Sequence, residues 1–150
     1  MSRVFKRRRG TAIIETDKGI LVVAGKTKNF ITPGGGANPE ETRVEATIRE
    51  IKEETGLDVV RYKKIFKFVG FVNKTKNGAW QDFHTVSLFK VKGSPKPMQE
   101  VKYIKYYDIK NKTRVSSTTK KIIKKYYNWK DKQSLLNRIW INLRYKSKLK

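Results

Sequence analysis

Residues 43–55 separate into an apolar and an acidic face when they are placed on an α-helix. Successive helical residues advance by roughly 100°, so three apolar side chains fall within an arc of about 60° that would face a core. These residues are Val44, Ile48 and Ile51. Pro39, Glu40 and Glu41 suit the first turn and its positive dipole end, and Gly56 suits a left-handed C-cap. The pattern predicts one amphipathic helix that follows a glycine-rich turn.

Apolar runs bounded by turn residues predict strands before and after this helix. The predicted strands cover residues 3–15, 19–24, 57–72, 79–91 and 101–109. A turn at residues 17–19 and the pair Asn77-Gly78 each join two strands as a hairpin. Two prolines place residues 93–99 in a loop. Strands on both sides of a helix predict a mixed α/β domain.

The C-terminal part of the chain has apolar residues at helical spacing, in two groups. These residues are Ile122, Ile123, Tyr126, Tyr127 and Trp129, then Leu135, Leu136, Ile139, Trp140 and Leu143. They predict helices over about 115–147, which Ser116, Ser117 or Thr118 would cap. We assign the aromatic residues to the core rather than to stacking platforms. The lysines on the opposite faces would form a basic surface that could contact an RNA or DNA backbone.

The composition describes one compact domain, residues 1–150, with an extreme charge. The 150 residues are 37% hydrophobic, enough for a core, and no linker or repeat divides them. The chain lacks cysteine and an apolar run of membrane-spanning length, and residues 1–9 lack the apolar middle that a signal peptide would have. We therefore expect a cytoplasmic setting without a membrane partner. Its 36 lysines and arginines against 13 acids give a formal charge of +23. Such a field attracts polyanions, although a lysine-rich genome could produce part of it.

Three carboxylates lie together on the polar face of the predicted helix. They belong to Glu50, Glu53 and Glu54, which fall within roughly 100° of one another. Their mutual repulsion is a cost that a bound cation would remove, and oxygen ligands favour Mg²⁺ or Mn²⁺ over Zn²⁺. The preceding glycines, Gly34, Gly35 and Gly36, let the backbone approach a ligand closely. The alternative interpretation is an ordinary surface helix with a solvated acidic face.

The spacing of specified residues across 35–57 is more informative than the helix alone. Gly35 is followed by five residues, Glu41, seven residues and the run Arg49-Glu50-Ile51-Lys52-Glu53-Glu54-Thr55-Gly56-Leu57. This arrangement resembles the Nudix box of the Nudix hydrolases at every defining position. The resemblance implies the Nudix α/β/α sandwich with a mixed sheet, and a divalent-metal enzyme that cleaves a diphosphate with water as the nucleophile. It also implies that Glu50, Glu53 and Glu54 hold or orient metal ions, while Arg49, Glu41 and Gly56 support the site.

A looser likeness concerns the opening strand. Residues 6–14, with 33–36 and 39–41, are similar to the Nudix branch that hydrolyses diphosphoinositol and diadenosine polyphosphates, in which basic residues of this strand contact substrate phosphates. Arg7 and Arg9 point to the same side of an extended chain and are our candidates for this contact. The alternative is a solvated cationic edge strand.

Three further residues have expected roles. Phe30 stands where many Nudix proteins have a tryptophan near the substrate. Glu100 is the best candidate for a glutamate that completes the metal site or acts as general base, with Asp82 and Asp108 as competitors and an ordinary surface carboxylate as the alternative. We assign His84, the single histidine, to packing or hydrogen bonding rather than to catalysis.

Together these features predict cleavage of the pyrophosphate linkage of nucleoside diphosphate derivatives, with dinucleoside polyphosphates or nucleoside triphosphates preferred because they are highly anionic. The predicted catalytic residues are Arg49, Glu53 and Glu100, and the predicted substrate-binding residues are Arg7, Arg9, Phe30, Gly34, Gly35 and Gly36. The expected partner is a nucleotide or polyphosphate. An RNA 5′-end pyrophosphohydrolase and a non-catalytic nucleic-acid-binding domain are the alternatives, and both a monomer and a homodimer stay open.

Overall fold

The computed structural model describes residues 3–111 and 113–148, without the side chains of residues 143 and 145–148. Its elements are β1 (Val4–Ile13), β2 (Glu15–Thr16), β3 (Gly19–Ala24), β4 (Gly34–Gly36), α1 (Arg43–Thr55), β5 (Asp58–Thr75), β6 (Gly78–Lys92), β7 (Tyr103–Tyr107) and α2 (Ser117–Lys148). The strands form a four-stranded sheet in the order β4-β1-β6-β5 and a three-stranded sheet in the order β2-β3-β7. Only β1 and β6 pair in parallel among these described strands, so the first sheet is mixed.

Two apolar layers hold the helices on opposite faces of the strands. Successive side chains of a strand point to opposite faces, so Ala12 packs toward α1 and Ile13 toward α2. Ala12 shares a cluster with Val44 and Ile51 of α1, whereas Ile13 shares a second cluster with buried α2 residues such as Tyr126. The predicted α/β/α sandwich with a mixed sheet is therefore confirmed.

Helix α1 begins later than its proline and first acids indicate. Thr42 is the N-cap: its hydroxyl accepts the N–H of Glu45 at 3.1 Å, and the Glu45 carboxylate accepts the N–H of Thr42 at 2.9 Å. This capping box makes Glu45 the acid of the first turn. Residues 39–41 precede the helix, so their predicted place in its first turn is wrong. Gly56 ends the helix as expected, with a φ of 71°.

Helix α1 packs directly on the backbone of β1 at Gly10. A Cβ atom built on Gly10 would lie 1.9 Å from the carbonyl oxygen of Arg43 and 2.0 Å from Oγ1 of Thr47. Both distances are far inside van der Waals contact, so this strand position admits only glycine without movement of the helix. The close approach places the acidic face of α1 beside the edge strand β4.

The C-terminal residues form one helix, α2, rather than the two helices predicted. Residues 117–148 contain neither glycine nor proline, so nothing in the sequence interrupts the helical hydrogen bonds. The first half of α2 is anchored to the sheet, where Tyr126 and Lys130 both donate hydrogen bonds to the carboxylate of Glu15. Neither described helix combines the length and the apolar composition of a membrane span.

The second half of α2 does not contribute to the core. Leu135, Leu136, Ile139 and Trp140 are between 46% and 63% exposed, so the core role predicted for the aromatic residue Trp140 is wrong. The reason is length, because α2 continues beyond the sheet surface that buries Ile122, Ile123 and Tyr126. The side chain of Leu143, predicted with this group, lies outside the described part of the structure.

Candidate metal and substrate site

Arg49 of α1 organises the acidic face of that helix. Its Nε and Nη2 donate to the two carboxylate oxygens of Glu41 at 2.8 and 2.9 Å. Its Nη1 donates to Glu50 at 3.0 Å and to Glu53 at 3.1 Å. The hydrogen bonds from Arg49 and from the N–H of Asn38 lower the pKa of Glu41 to about 2. Arg49 therefore compensates three carboxylates at once and fixes the loop before α1 to the helix.

Glu54 lies beside Glu50, and the charge of Arg9 compensates it only in part. Burial, and then the negative charge of Glu50, raise the pKa of Glu54 to about 8, and the charge of Glu100 acts in the same direction. The N–H of Gly34 approaches Glu54 Oε2 at 3.4 Å, a weak contact. On the other side, Glu50 packs against Gly35, where a Cβ atom would lie 2.3 Å from Glu50 Oε1. The glycine turn and α1 thus confine two carboxylates in a small space.

This carboxylate pair fits a hard divalent cation. A cation between Glu50 and Glu54 would reverse the repulsion that raises the pKa of Glu54, and carboxylate oxygens are the donors that Mg²⁺ and Mn²⁺ prefer. Glu53 instead faces Arg49, so the described residues contain no group of three acidic, histidine or cysteine side chains converged on one point. The three glutamates lie on one face, as the helical wheel predicts, but only two of them crowd each other in this arrangement.

Glu100 is held close to these carboxylates by its loop. The N–H of Lys96 donates to the carbonyl of Thr55 at 2.9 Å, and the N–H of Met98 donates to the carbonyl of Glu54 at 3.1 Å. These main-chain bonds fix the loop 94–100 to the end of α1. The charge of Glu100 then contributes to the raised pKa of Glu54. The arrangement supports Glu100 over Asp108, which lies after β7 in another part of the fold.

A cavity of about 340 Å³ opens beside the carboxylates, on the α2 side of the sheet. We refer to it as the arginine cavity, since Arg7 and Arg9 line it. Its wall consists of strand residues and of the first residues of α2. They are Arg7, Arg9, Thr11, Ile31, Thr32, Gly34, Gly70, Phe71, Asn73, Trp80, Asp82, His84, Ser116, Ser117, Thr118, Thr119 and Ile122. Gly34 belongs to this wall and also contacts Glu54, so the cavity adjoins the carboxylate pair.

The predicted pair Arg7 and Arg9 lines the same cavity, but an acid lies between them. Arg7 donates two hydrogen bonds to the Asp82 carboxylate at 2.6 and 3.0 Å, and Arg9 Nε lies 4.0 Å from it. Burial alone would raise the pKa of Asp82, yet the Arg7 hydrogen bonds and the Arg9 charge outweigh it and hold that pKa below its ordinary value. Asp82 is therefore a carboxylate of this cavity and not a competitor of Glu100.

Phe30 is not part of the arginine cavity. Its side chain is 4% exposed and packs with Val22 and Ala24, while the next two residues reach the cavity wall. An isolated bridge between Phe30 and Val115 fixes this orientation. The substrate-binding role predicted for Phe30 has no support in this cavity, because its ring is buried among core residues.

His84 is packed and hydrogen-bonded, as expected. It is 8% exposed, its Nδ1 lies 2.8 Å from the Thr11 hydroxyl, and its ring meets Phe68 edge-on. Burial, followed by the charge of Arg9, lowers the pKa of His84 to about 4, although Asp82 opposes this shift. The imidazole is therefore neutral at neutral pH.

The neutral state of His84 predicts an acid-sensitive fold. Its pKa is lower in the folded chain than the ordinary 6.5, so the stability it contributes is complete above pH 6.5 and is lost as the pH falls toward 4. The shift corresponds to a loss of up to about 3 kcal/mol. Urea unfolding of wild type and of His84→Asn, which can keep the Thr11 contact, should show a steeper decline for wild type across this range. Parallel declines would contradict the prediction.

Two features of the cavity were not predicted from the sequence. Trp80 and the hydroxyl residues 116–119 line the cavity, the latter at the start of α2. Strand alternation does place Trp80, Asp82 and His84 on one face. Their approach to Arg7 and Arg9 depends on the parallel pairing of β1 with β6, which joins residues 75 positions apart and has no local signal.

Comparisons with known proteins agree with this geometry. A family model, the NUDIX domain, matches residues 5–126. The chain is 32% identical over 127 residues to the ADP-ribose pyrophosphatase of Methanocaldococcus jannaschii, an alignment that covers 79% of this chain and 72% of that protein.

Solved structures give the same assignment. A protein assigned to the nudix hydrolase family from Chromobacterium violaceum is 31% identical, with a TM-score of 0.70 over 99% of this chain and 97% of that one. The bifunctional NMN adenylyltransferase/ADP ribose pyrophosphatase of Francisella tularensis, complexed with AMP and a Mn ion, shares the fold at 20% identity, with a TM-score of 0.62 over 85% of this chain and 42% of that one. The chain thus belongs to the Nudix hydrolases and is a pyrophosphohydrolase that acts on phosphoanhydride bonds.

Proposed function

We propose that this enzyme hydrolyses the pyrophosphate linkage of nucleoside diphosphate derivatives at the junction of the carboxylate pair and the arginine cavity. The observation that supports this location is the position of Gly34, which lines the cavity and also contacts Glu54. A diphosphate that lies along Gly34 has arginine on one side and the metal-binding carboxylates on the other. The arginine and the metal ion held by the carboxylates would together neutralise the negative charge of the diphosphate.

Nudix hydrolases generally use divalent metals, and we propose Mg²⁺ or Mn²⁺ here. Glu50 and Glu54 would hold the ion, and Glu53 would join them or orient them through Arg49. When bound, the ion supplies positive charge that neutralises the diphosphate and makes water more acidic. The close packing of Glu50 on Gly35 supports this donor set, because it fixes one carboxylate in place.

The remaining chemistry falls to side chains of this chain. Arg9 has no bidentate carboxylate partner among the described residues, and its charge acts on Glu54, so we assign it to the phosphate oxygens. Glu100 accepts the proton of the attacking water, because its loop holds it near Glu54 while Glu53 is engaged by Arg49. Arg49 and Glu41 hold the acidic side chains of α1 in position.

The substrate class is a finer part of the proposal. The overall charge of +23 favours highly anionic compounds, such as dinucleoside polyphosphates or nucleoside triphosphates. The similarity to an ADP-ribose pyrophosphatase supports ADP-ribose as a further candidate. All three classes contain a nucleoside and a phosphoanhydride, which the arginine cavity can accommodate next to Gly34.

A hydrolysis panel tests the function directly. ADP-ribose, diadenosine tetraphosphate and ATP are incubated with the enzyme and Mg²⁺ in oxygen-18 water, and the products are identified by mass spectrometry. We expect at least one compound to react with a kcat/KM above about 10⁴ M⁻¹s⁻¹, and the isotope to mark the phosphorus that water attacks. Absence of turnover across the panel, with a folded protein, would contradict the proposal.

An RNA 5′ end is a second candidate because of α2 and the residues around it. Residues 110–150 contain 14 lysines and arginines and a single acid, Asp131. Many contacts to an RNA backbone would make the apparent affinity fall steeply with salt. The panel therefore includes a 5′-triphosphorylated RNA, assayed at two salt concentrations. A steep salt dependence of KM for RNA, and a shallow one for ADP-ribose, would favour the RNA end.

A further inference from the structure

The two arginines of the arginine cavity have different surroundings. Arg7 is engaged by both oxygens of Asp82, and its guanidinium carbon lies 5.0 Å from the centre of the Trp80 ring. Arg9 lies 4.0 Å from Asp82 and acts electrostatically on Glu54. Arg9 therefore belongs to the carboxylate end of the cavity, and Arg7 belongs to an aromatic end.

Strand register separates these two ends. In the parallel pair of β1 and β6, Arg9 lies opposite His84, Arg7 opposite Asp82 and Phe5 opposite Trp80. Strand residues advance by about 3.3 Å, so the main chain at Trp80 is about 13 Å along the strand from the level of Arg9. Gly34, which contacts Glu54, is paired with Thr11 at the Arg9 end. A ribose and a diphosphate can occupy the space between the carboxylates and Trp80.

The aromatic end is lined by flat side chains and by one close ion pair. Arg7 and Asp82 form a bidentate pair whose charges cancel. Phe71 lines the same cavity and is 60% exposed, with the ammonium group of Lys121 3.8 Å from its ring centre. Indole, phenyl and guanidinium groups all offer flat surfaces on which nucleobases stack. The pair of Arg7 and Asp82 offers no free charge to a second phosphate, and the cation at this end, Lys121, lies against the Phe71 ring.

We propose that Arg7, Phe71 and Trp80 form a nucleobase-binding site at the outer end of the arginine cavity, and that Asp82 is a positioning residue that holds Arg7 over the indole. The inference rests on the proposed function, since it places the nucleoside of the same substrate. Of the two arginines of the cavity, it assigns Arg7 to the base and Arg9 to the phosphate. Residues of β1, β5 and β6 thereby decide between substrates with and without a base.

Binding without hydrolysis tests the site. Isothermal titration calorimetry compares adenosine 5′-monophosphate with ribose 5-phosphate, in the absence of divalent metal. Wild type should bind the nucleotide at least about 10-fold more tightly, as expected for one stacked base. Trp80→Leu and Phe71→Leu should each remove most of this preference and leave the affinity for ribose 5-phosphate unchanged.

Phe5→Leu is the matched control for Phe71→Leu. Phe5 is 62% exposed, close to the value of Phe71, and lies opposite Trp80 in the strand register, but it does not line the cavity. The control should keep the full preference for the nucleotide. Because Phe71 is exposed, its substitution leaves the core intact even if Trp80→Leu were to unfold the protein.

A double-mutant cycle tests the positioning role of Asp82. Asp82→Ala, Arg7→Ala and the double variant should weaken nucleotide binding to the same extent, since Asp82 acts through Arg7. Additive losses would overturn that role. An unchanged preference in both Trp80→Leu and Phe71→Leu, or an equal affinity of wild type for both ligands, would overturn the base site. Failure of the hydrolysis panel would instead overturn the proposed function, because calorimetry needs no turnover.

Discussion

Replacement of Glu54 by glutamine is expected to reduce kcat by about 10³-fold. Glutamine keeps the shape of the side chain but removes the charge that would hold the cation beside Glu50. If the bound ion contributes about 4 kcal/mol to transition-state stabilisation, its loss accounts for a factor of that size. The rate would be measured with ADP-ribose or with another panel compound that wild type hydrolyses. Manganese binding, followed by calorimetry, should weaken in parallel.

The stability of the same variant should change in the opposite direction. The pKa of Glu54 is raised in the folded chain, so the metal-free wild type loses stability as the pH rises from 4.5 through about 8. Glu54→Gln removes that loss, and its melting temperature at pH 8 without metal should be a few degrees higher than that of wild type. Glu40→Gln, at an exposed acid before α1, is the control, and it should change neither kcat nor the melting temperature at pH 8. A lower melting temperature for Glu54→Gln would mean that inactivation reflects damage to the fold.

Gly10→Ala is expected to unfold the domain or to destabilise it by more than about 4 kcal/mol. The added methyl group would overlap the main chain of α1 at Arg43, where backbone cannot move aside as a flexible side chain would. Displacement of α1 would also separate Glu50 and Glu54 from the glycine turn. Circular dichroism during thermal unfolding would measure the loss, and any folded fraction should show strongly reduced hydrolysis.

Gly36→Ala is the matched control for this substitution. Gly36 pairs with Arg9 on the adjacent strand, and a Cβ atom there would meet no other atom within 4 Å. Its melting temperature should stay within a few degrees of wild type. Equal stability of the Gly10 and Gly36 variants would show that α1 does not rest on the β1 backbone as described.

Local patterns predicted the parts of the fold that depend on neighbouring residues. The apolar arc of Val44, Ile48 and Ile51 identified the buried face of α1, and Asn77-Gly78 identified the hairpin of β5 and β6. Pro39 misplaced the helix start because a capping box three residues later provides the hydrogen bonds that end the loop. The helical spacing placed the three acids on one face, but it did not show that Arg49 donates hydrogen bonds to both Glu50 and Glu53.

Features that depend on distant pairing were not accessible in this way. Asp82 and Trp80 meet Arg7 only because β1 lies parallel to β6, and many other pairings satisfy the same alternation. The core role assigned to Trp140 failed for a related reason. Helical spacing shows that residues share a face, but it does not show whether another surface covers that face.

The tether that carries Glu100 has a consequence for divergence of this enzyme. Lys96 and Met98 bind the end of α1 through their amide nitrogens, and the acceptors are carbonyl oxygens of Thr55 and Glu54. Every residue type except proline supplies such an amide. These two side chains can therefore change in evolution, and the shape and charge of the loop surface change with them. Glu100, at the end of the loop, keeps its position. New substrate preferences could arise there without rebuilding the catalytic apparatus.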